Sequence, residues 1–191
     1  MTNVIYTIGH STRSADEFVA LLAAHDVAAL ADVRTVRRSR HNPQFNGDAL
    51  AATLAAHGIR YAPFPGLGGF RKTTPDSPNG GWRNLSFRGY ADYMQSAEFA
   101  RNLDALIALA TEVESETTFA SRKRESGGHV AIMCAEAVPW RCHRSLIADA
   151  LTVRGFDVRE IASESKTAPH KLTPFAKVDG TTIRYPALLA D

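Results

Sequence analysis

Two cysteines lie close together in the chain, among the acidic and basic side chains that thiol chemistry requires. Cys134 is followed by Glu136, and Cys142 is followed directly by His143 and Arg144. Positive charge beside a thiol favours the thiolate, which is the nucleophilic form of cysteine. We therefore interpret Cys134 as a nucleophile or thiol carrier, with Glu136 orienting a basic partner and His143 moving protons.

The same residues allow two other interpretations. Cys134, Cys142 and His143 could bind a metal ion with a fourth ligand from a distant part of the chain. That ligand could be His10, His170 or an acid, but the spacing of the cysteines matches no compact zinc pattern. Alternatively, Cys134 could be a small buried residue at a strand end, with Cys142 at the start of a helix. The sequence therefore predicts no metal ligand set and no cofactor.

Polar side chains also follow two earlier apolar runs of the sequence. His10 and Ser11 follow the first run, and Asp32 and Arg34 follow the second. His10 could act as a ligand, as a base or only in loop packing, and Asp32 could simply pair with Arg34 to hold the end of the strand. We expect Glu136 to pair with Arg144 or to lie within ion-pair reach of Arg34, directly or through one ligand group, because a charge does not tolerate burial without a partner.

A basic segment begins at the end of the second apolar run. Residues 34–41 include four arginines, and later loops place further basic residues between aromatic ones. This mixture suits an anionic group such as phosphate together with a stackable base, and a solvated basic loop is the alternative. The sequence thus predicts a small anionic molecule or a nucleotide as the partner and leaves nucleic acid open. The residues assigned to substrate binding are Ser11, Asp32, Arg34, Ser39, Arg40, Gly68, Gly69, Tyr90, Cys142 and Arg144.

The elements that must position these residues are strands and helices in alternation. Alternation of this kind is typical of an α/β fold with a mainly parallel sheet and helices on both faces, Rossmann-like or rhodanese-like. Ligands of such sheets bind beyond the carboxyl ends of the strands, so we expect the residues after the strands to surround one positively charged pocket. The predicted strands are residues 4–8, 27–33, 59–64, 130–134 and 156–161, and the predicted helices are residues 14–25, 48–57, 90–110 (in two pieces divided near Ser96) and 143–154.

Three segments lie outside this alternation. Residues 66–87 are rich in glycine, proline, asparagine and serine, and they are predicted to form a long loop that covers the pocket. Residues 111–128 are polar and charged, which favours a solvated connector. Asp179 and Gly180 separate two strand-like pieces, as in a β-hairpin. We expect the whole chain to form a single α/β domain, with the hairpin as an appendage over about residues 165–191.

The composition excludes several classes of protein. Of the 191 residues, 45% are hydrophobic and 22% are charged, which is ordinary for a globular chain and unlike a disordered one. The formal net charge of +2 gives no argument for nucleic acid by itself. No apolar run approaches the length of a membrane span, and the first residues lack the pattern of a signal peptide. We therefore expect a cytoplasmic protein with reduced thiols and no membrane partner.

These motifs resemble a known bacterial family, domain of unknown function family 488. The resemblance is carried above all by Cys-Ala-Glu at 134–136 and Cys-His-Arg at 142–144, which are specific at this spacing. It covers nearly the whole chain and implies a site but no reaction, since the activity of the family is unassigned. The other matching segments are residues 7–11, 32–34 with Ser39, Arg40 and Phe45, 67–69, 89–90 with Tyr93 and Met94, 147–148, 172–175 and 185–186.

A second likeness suggests a kind of chemistry. Asp32 and Arg34 at a strand end, followed late in the chain by a strand, a cysteine loop and a helix, are similar to the rhodanese arrangement. In rhodanese a cysteine in an anion-binding loop carries a persulfide, and that loop is shorter than the one after Cys134.

The sequence as a whole favours a cysteine-dependent transferase or hydrolase that acts on a small anionic or nucleotide-like substrate. One alternative is a protein that binds nucleic acid or a nucleotide through its basic rim. The other is a metal-binding protein with a cysteine and histidine site. The residues assigned to catalysis are His10, Cys134, Glu136 and His143.

Overall fold

Within residues 3–120 and 128–187, which a computed structural model describes, five parallel strands and one antiparallel strand form the main sheet. The strands are β1 (Val4–Gly9), β2 (Val27–Asp32), β3 (Arg60–Pro63), β4 (His129–Cys134), β5 (Asp157–Ser163) and β6 (Lys166–Pro169). Their spatial order is β3-β2-β4-β1-β5-β6, and β6 is antiparallel to β5.

Helices cover both faces of this sheet. One face packs against α1 (Ala15–Ala24) and α2 (Gly47–Ala56). The other face packs against α3 (Leu85–Tyr93), α4 (Ala97–Ala120) and α5 (Arg144–Thr152). The predicted α/β class, with helices on both faces of a mainly parallel sheet, is therefore confirmed. None of the helices in the described ranges is both long enough and apolar enough to cross a membrane.

Short-range signals explain where the first helices begin and end. Ser14 caps α1: its side-chain oxygen accepts from the Glu17 amide at 3.2 Å, while the Glu17 carboxylate accepts from the Ser14 amide at 2.8 Å. This reciprocal pair is the predicted capping box. After α2, Gly58 has φ +71°, a left-handed conformation that glycine adopts without steric cost. Both signals are local, so the sequence reveals them before any tertiary contact is known.

Helix α4 is longer than the sequence suggests. Residues 111–120, predicted to be a connector, continue the helix, so that prediction is wrong for them. Leu106, Leu109 and Val113 are buried and extend the inner face of α4 at three- and four-residue spacing. Packing of one apolar face therefore outweighs the polar character of the other positions. Residues 121–127 of the predicted connector lie outside the described part of the chain.

Strand β6 is an element that the apolar pattern does not predict. It pairs with β5 at the edge of the sheet, where Thr167 lies opposite Ile161. Most of its residues are exposed, so no apolar run marks it in the sequence. Pro169 ends the strand and is tolerated because an edge strand has one unpaired side.

The predicted C-terminal hairpin is present as β7 (Lys177–Asp179) and β8 (Thr182–Arg184). Its turn contains Gly180, which has φ +59°. The buried Tyr185 follows the hairpin and donates from its hydroxyl to Asp149 of α5 at 2.8 Å. This hydrogen bond fastens the tail to the helices on one face of the sheet.

The parallel register brings the ends of three strands to one edge of the sheet. Gly9 lies opposite Cys134, and Asp32 lies opposite Met133. Since β4 lies between β1 and β2, its terminal cysteine is flanked by their last residues. The loop after β4 leaves no space at Gly9, where an added Cβ atom would lie 2.0 Å from the carbonyl oxygen of Glu136.

Gly9→Ala is expected to destabilise the fold by about 1–3 kcal/mol, because its methyl group must push the loop after β4 away from β1. Gly80→Ala is the matched control, since its Cβ atom would lie 3.4 Å from the side chain of Ala187, which is an ordinary contact. Urea unfolding followed by circular dichroism gives the free energy of unfolding of each variant. Equal losses in the two variants would contradict the close packing of the loop on β1.

Candidate functional site

A cleft opens at the carboxyl edge of the sheet, near the ends of β1, β2 and β4. Its volume of about 760 Å³ lies in the range of small-molecule sites. Side chains from several separate segments line it, as expected where parallel strands end. The predicted site residues that line the cleft are His10, Ser11, Arg34, Ser39, Gly69, Tyr90, Cys134, Glu136, Cys142 and His143.

The other predicted site residues do not line this cleft. Asp32 and Arg144 are completely buried, and each binds a residue of the lining. Arg40 is exposed away from the cleft. Gly68 packs against Thr35, whose side-chain oxygen would lie 2.3 Å from an added Cβ atom. Asp32 and Arg144 therefore support the lining from behind and do not face a ligand.

Cys134, Cys142 and His143 form the floor of the cleft, and one donor atom of each lies within 4.8 Å of the other two. The Nδ1 atom of His143 is 3.6 Å from the Cys142 sulfur, and its Nε2 atom is 3.0 Å from the Val33 carbonyl oxygen. A carbonyl oxygen only accepts, so Nε2 carries the ring proton and the lone pair of Nδ1 faces the sulfur. Burial lowers the pKa of His143, which keeps the ring neutral.

The pKa values of the two thiols are shifted in opposite directions. The Cys142 thiol donates to the Cys134 sulfur and lowers the pKa of Cys134 well below its ordinary value, although burial acts in the opposite direction. The Glu136 amide and the charge of Arg144 lower the pKa of Cys134 further. The pKa of Cys142 is raised, first by this hydrogen bond and then by burial. Within the pair, these opposite shifts of the pKa favour Cys134 as the thiol that ionises first.

The start of α5 lies beside Cys142 and not beside Cys134. The Arg144 amide donates to the Cys142 sulfur at 3.4 Å. A short 3-10 turn, Pro139–Arg141, separates the end of β4 from this helix. The amide that stabilises the Cys134 sulfur comes instead from Glu136, in the loop itself.

His10 lies at the wall of the cleft with both ring nitrogens occupied. Its Nδ1 atom donates to the Ser11 carbonyl oxygen at 2.8 Å, and its Nε2 atom accepts from Arg34 at 3.2 Å. The ring also stacks on Phe45, with 4.2 Å between ring centres. Burial lowers the pKa of His10 to about 4, so the ring stays neutral near pH 7. This environment suits a positioning role better than proton transfer.

The ion-pair partner of Arg34 is Asp32, a pairing that the sequence had suggested, and Arg34 makes no direct ion pair with Glu136 within the described part of the chain. Hydrogen bonds of 2.6 and 2.8 Å join the Arg34 guanidinium to the buried carboxylate. Tyr61 donates to the same carboxylate at 2.7 Å. Glu136 is exposed, and its carboxylate accepts from the Val138 amide at 3.1 Å. The carboxylate that needs a buried cation is therefore Asp32, because solvent already stabilises Glu136.

Arg144 joins three parts of the fold behind the cleft. Its buried guanidinium donates to the Ile8 carbonyl oxygen at 2.8 Å and to the Glu136 carbonyl oxygen at 3.1 Å. It also pairs at 3.0 Å with Glu160 of β5, which accepts from the Thr7 hydroxyl as well. Glu160 is not among the predicted site residues. Its signal in the sequence is a lone carboxylate inside a predicted strand, where a charge needs a partner.

The mouth of the cleft is basic and partly apolar. Arg38 and Arg141 line it, and Glu136 is the acidic member of the lining. Phe70 is 86% exposed and Val36 is 60% exposed, which marks an apolar surface that a ligand can cover. The basic and aromatic pattern of these loops was noted in the sequence, but these four positions were not assigned to the site. The remaining residues of the lining are Thr12, Thr35, Asn42, Ser86, Phe87, Ala135 and Ala137.

A metal ion could be held by the three donors at the floor of the cleft. Among the described residues, Cys134, Cys142 and His143 form a group close enough to share one ion. Thiolate sulfur and imidazole nitrogen suit zinc. The histidines considered as a fourth ligand are occupied elsewhere, His10 with Arg34 and His170 with Asp149 at 2.7 Å.

Asp32→Ala is expected to lower the free energy of unfolding by about 3–5 kcal/mol, because it leaves the Arg34 guanidinium buried without a counter-ion. The matched control is Asp157→Ala, which removes the partly exposed pair with Arg159 and should cost about 0–1 kcal/mol. Urea unfolding of both variants measures the difference. Similar losses would mean that the buried pair does not hold the cleft wall.

Comparison with known proteins identifies the family of this chain. The sequence profile described as domain of unknown function DUF488 matches residues 14–126 and 111–151. No curated protein and no solved structure was found to match the chain. The profile match covers well over half of the 191 residues and confirms the resemblance seen in the motifs. The chain therefore belongs to the DUF488 family, whose shared domain has no assigned function.

Proposed function

We propose that this protein is a cysteine-dependent enzyme whose cleft holds a small anionic or nucleotide-like substrate against the Cys134 sulfur. The observation that carries the proposal is the position of that sulfur. It lies at the floor of the cleft, within 4.8 Å of the Cys142 sulfur and of a ring nitrogen of His143, and the neighbouring Cys142 thiol and Glu136 amide lower its pKa. Hydrogen bonds to the charged form favour a thiolate, which is the reactive form of cysteine.

The proposed step is attack of the Cys134 thiolate on an electrophilic carbon or phosphorus atom of the substrate. The sulfur forms the new bond as the bond to the leaving group breaks, and the leaving group departs with the electron pair. Water then displaces the sulfur in a hydrolase, or a second acceptor displaces it in a transferase. Either outcome returns the free thiolate.

The neighbouring polar residues support different parts of this step. His143 is better placed than His10 to move protons, because its Nδ1 lone pair faces the thiols while both nitrogens of His10 are occupied. Glu136 lies in the cleft lining and makes no ion pair with the described residues, so it can orient a basic or hydroxyl group of the substrate. His10 and Arg34 hold the adjacent wall of the cleft in place.

The substrate class follows from the mouth of the cleft. Arg38 and Arg141 supply positive charge for a phosphate or carboxylate group. Phe70 offers an exposed ring on which a planar base can stack. A volume of about 760 Å³ accommodates a molecule the size of a nucleotide.

Limiting iodoacetamide at pH 7 is expected to alkylate Cys134 roughly tenfold faster than Cys142, since an ordinary thiol is only a few per cent ionised at that pH. Cys142 donates its proton in the shared hydrogen bond and should react slowly. Mass spectrometry of the digested protein gives the labelled fraction at each site. The chain has two cysteines, so no third thiol competes for the reagent.

Cys134→Ser and Cys142→Ser are the controls for this experiment. The first variant should lose the fast phase of labelling, and the second should retain alkylation of Cys134. Equal and slow alkylation of both thiols in the folded wild-type protein would refute the assignment of Cys134 as nucleophile.

Binding of single-stranded nucleic acid is a second candidate, favoured by the exposure of the basic segment. Arg38 and Arg40 are exposed, and Arg38 also lines the cleft. Phosphate groups of an oligonucleotide could extend from the cleft along these side chains.

Arg38→Ala combined with Arg40→Ala is expected to weaken any oligonucleotide binding and to reduce its salt dependence. Each lost phosphate contact should lower the slope of log affinity against log salt by about 0.7. Arg101→Ala, an exposed arginine of α4, is the control. Fluorescence anisotropy with a labelled oligonucleotide measures both quantities. If the wild-type protein shows no binding at low salt, this second candidate fails.

A further inference from the structure

We propose that Cys134, Cys142 and His143 together hold one Zn²⁺ ion at the floor of the cleft. This inference rests on the proposed function for the place of the reacting sulfur, and it names the group that keeps the sulfur deprotonated. Thiolate and imidazole donors are ligands that zinc prefers. Because only the thiolate form coordinates, binding of the ion releases the thiol protons to solvent.

The separations of the donor atoms fit a tetrahedral ion. Zinc–sulfur bonds of about 2.3 Å and zinc–nitrogen bonds of about 2.1 Å place a sulfur and a nitrogen ligand about 3.6 Å apart. The Cys142 sulfur and the Nδ1 atom of His143 are 3.6 Å apart. All three donor atoms lie within 4.8 Å of one another, so small side-chain rotations bring the Cys134 sulfur into place.

The groups that surround these donors also suit a zinc site. The Nε2 atom of His143 donates to a backbone carbonyl at 3.0 Å, which fixes the ring and leaves Nδ1 for the ion. The Cys142 sulfur accepts from the Arg144 amide at 3.4 Å. Cys142 and His143 are thus each oriented by a hydrogen bond outside the coordination sphere.

The fold explains how the three ligands come together although seven residues separate the two cysteines in the sequence. Cys134 ends β4, and the chain then leaves the sheet before the turn Pro139–Arg141. The Cys142 amide closes this turn by donating to the Pro139 carbonyl oxygen at 3.1 Å. The turn brings the second sulfur back to the first and places His143 directly beside both.

Three protein ligands leave one position of a tetrahedral ion for the cleft, because all three side chains line it. Catalytic zinc sites keep such a position for water or substrate, whereas structural sites use four protein ligands. Metal coordination is also one of the ways in which a nucleophile is activated. Cys134 therefore keeps its proposed role, and His143 serves as a ligand in place of accepting the thiol proton.

Metal analysis of the full chain tests this inference. Protein expressed with zinc in the medium and purified without chelator is expected to contain about one zinc ion per chain, as one shared set of ligands implies. Cys134→Ser, Cys142→Ser and His143→Gln should each weaken zinc binding by more than about tenfold. His57→Gln is the matched control for the histidine, since His57 is exposed and binds a carbonyl of its own helix.

Titration with Co²⁺ gives a second readout that does not require activity. Wild-type protein is expected to develop the visible absorption of a tetrahedral cobalt–thiolate centre, and the three ligand variants should lose it. Circular dichroism shows whether each variant is folded. Folded wild-type protein that contains no metal and gives no cobalt–thiolate absorption overturns the inference. Zinc content that stays unchanged in the folded variants overturns it as well, because the ion then lies elsewhere.

Iodoacetamide labelling before and after treatment with a chelator separates this inference from the proposed function. Fast labelling of Cys134 in protein that never binds metal supports Cys134 as the nucleophile and refutes the zinc site. Stoichiometric zinc with slow labelling of Cys134, both before and after chelation, supports the zinc site and refutes Cys134 as the nucleophile.

Discussion

The buried guanidinium of Arg144 is the interaction on which the candidate site depends. It donates to the end of β1 and to the loop after β4, and its charge is balanced by Glu160 of β5. A buried charge is costly unless it is paired and hydrogen-bonded, so these segments must come together for the chain to fold. Arg144 also begins α5, and its amide binds the Cys142 sulfur. One residue thereby places both cysteines relative to the strand ends.

A second buried ion pair gives the opposite wall of the cleft the same support. Asp32 holds Arg34 in place, and Arg34 in turn occupies one nitrogen of His10. The wall is therefore built from groups whose hydrogen bonds are already made, while the floor presents the Nδ1 lone pair of His143 and the sulfur atoms. Cys134 is the candidate centre because the polar groups of the wall already have hydrogen-bond partners, whereas the floor presents its sulfur atoms to the cleft.

The sequence predicts the fold class and the convergence of the strand ends, because both follow from alternation and from the common direction of parallel strands. It does not predict which buried charges pair, since pairing depends on strand order. β4 lies between β1 and β2, and β5 lies beside β1, so the carboxylate that pairs with Arg144 is that of Glu160, while Glu136 contributes its backbone carbonyl. The extension of α4 also escapes the sequence, because burial of one helical face decides it.

The insertion of β4 between β1 and β2 has a consequence for how the protein is made. β1 and β2 are the first strands to be synthesised, yet they do not pair with each other: β2 can pair with β3, but β1 must wait for β4. β1 also pairs with β5, which is made later still. Such long-range contacts close large loops and form late in folding. The candidate site therefore assembles only with the finished sheet, and an incomplete chain does not bring its residues together.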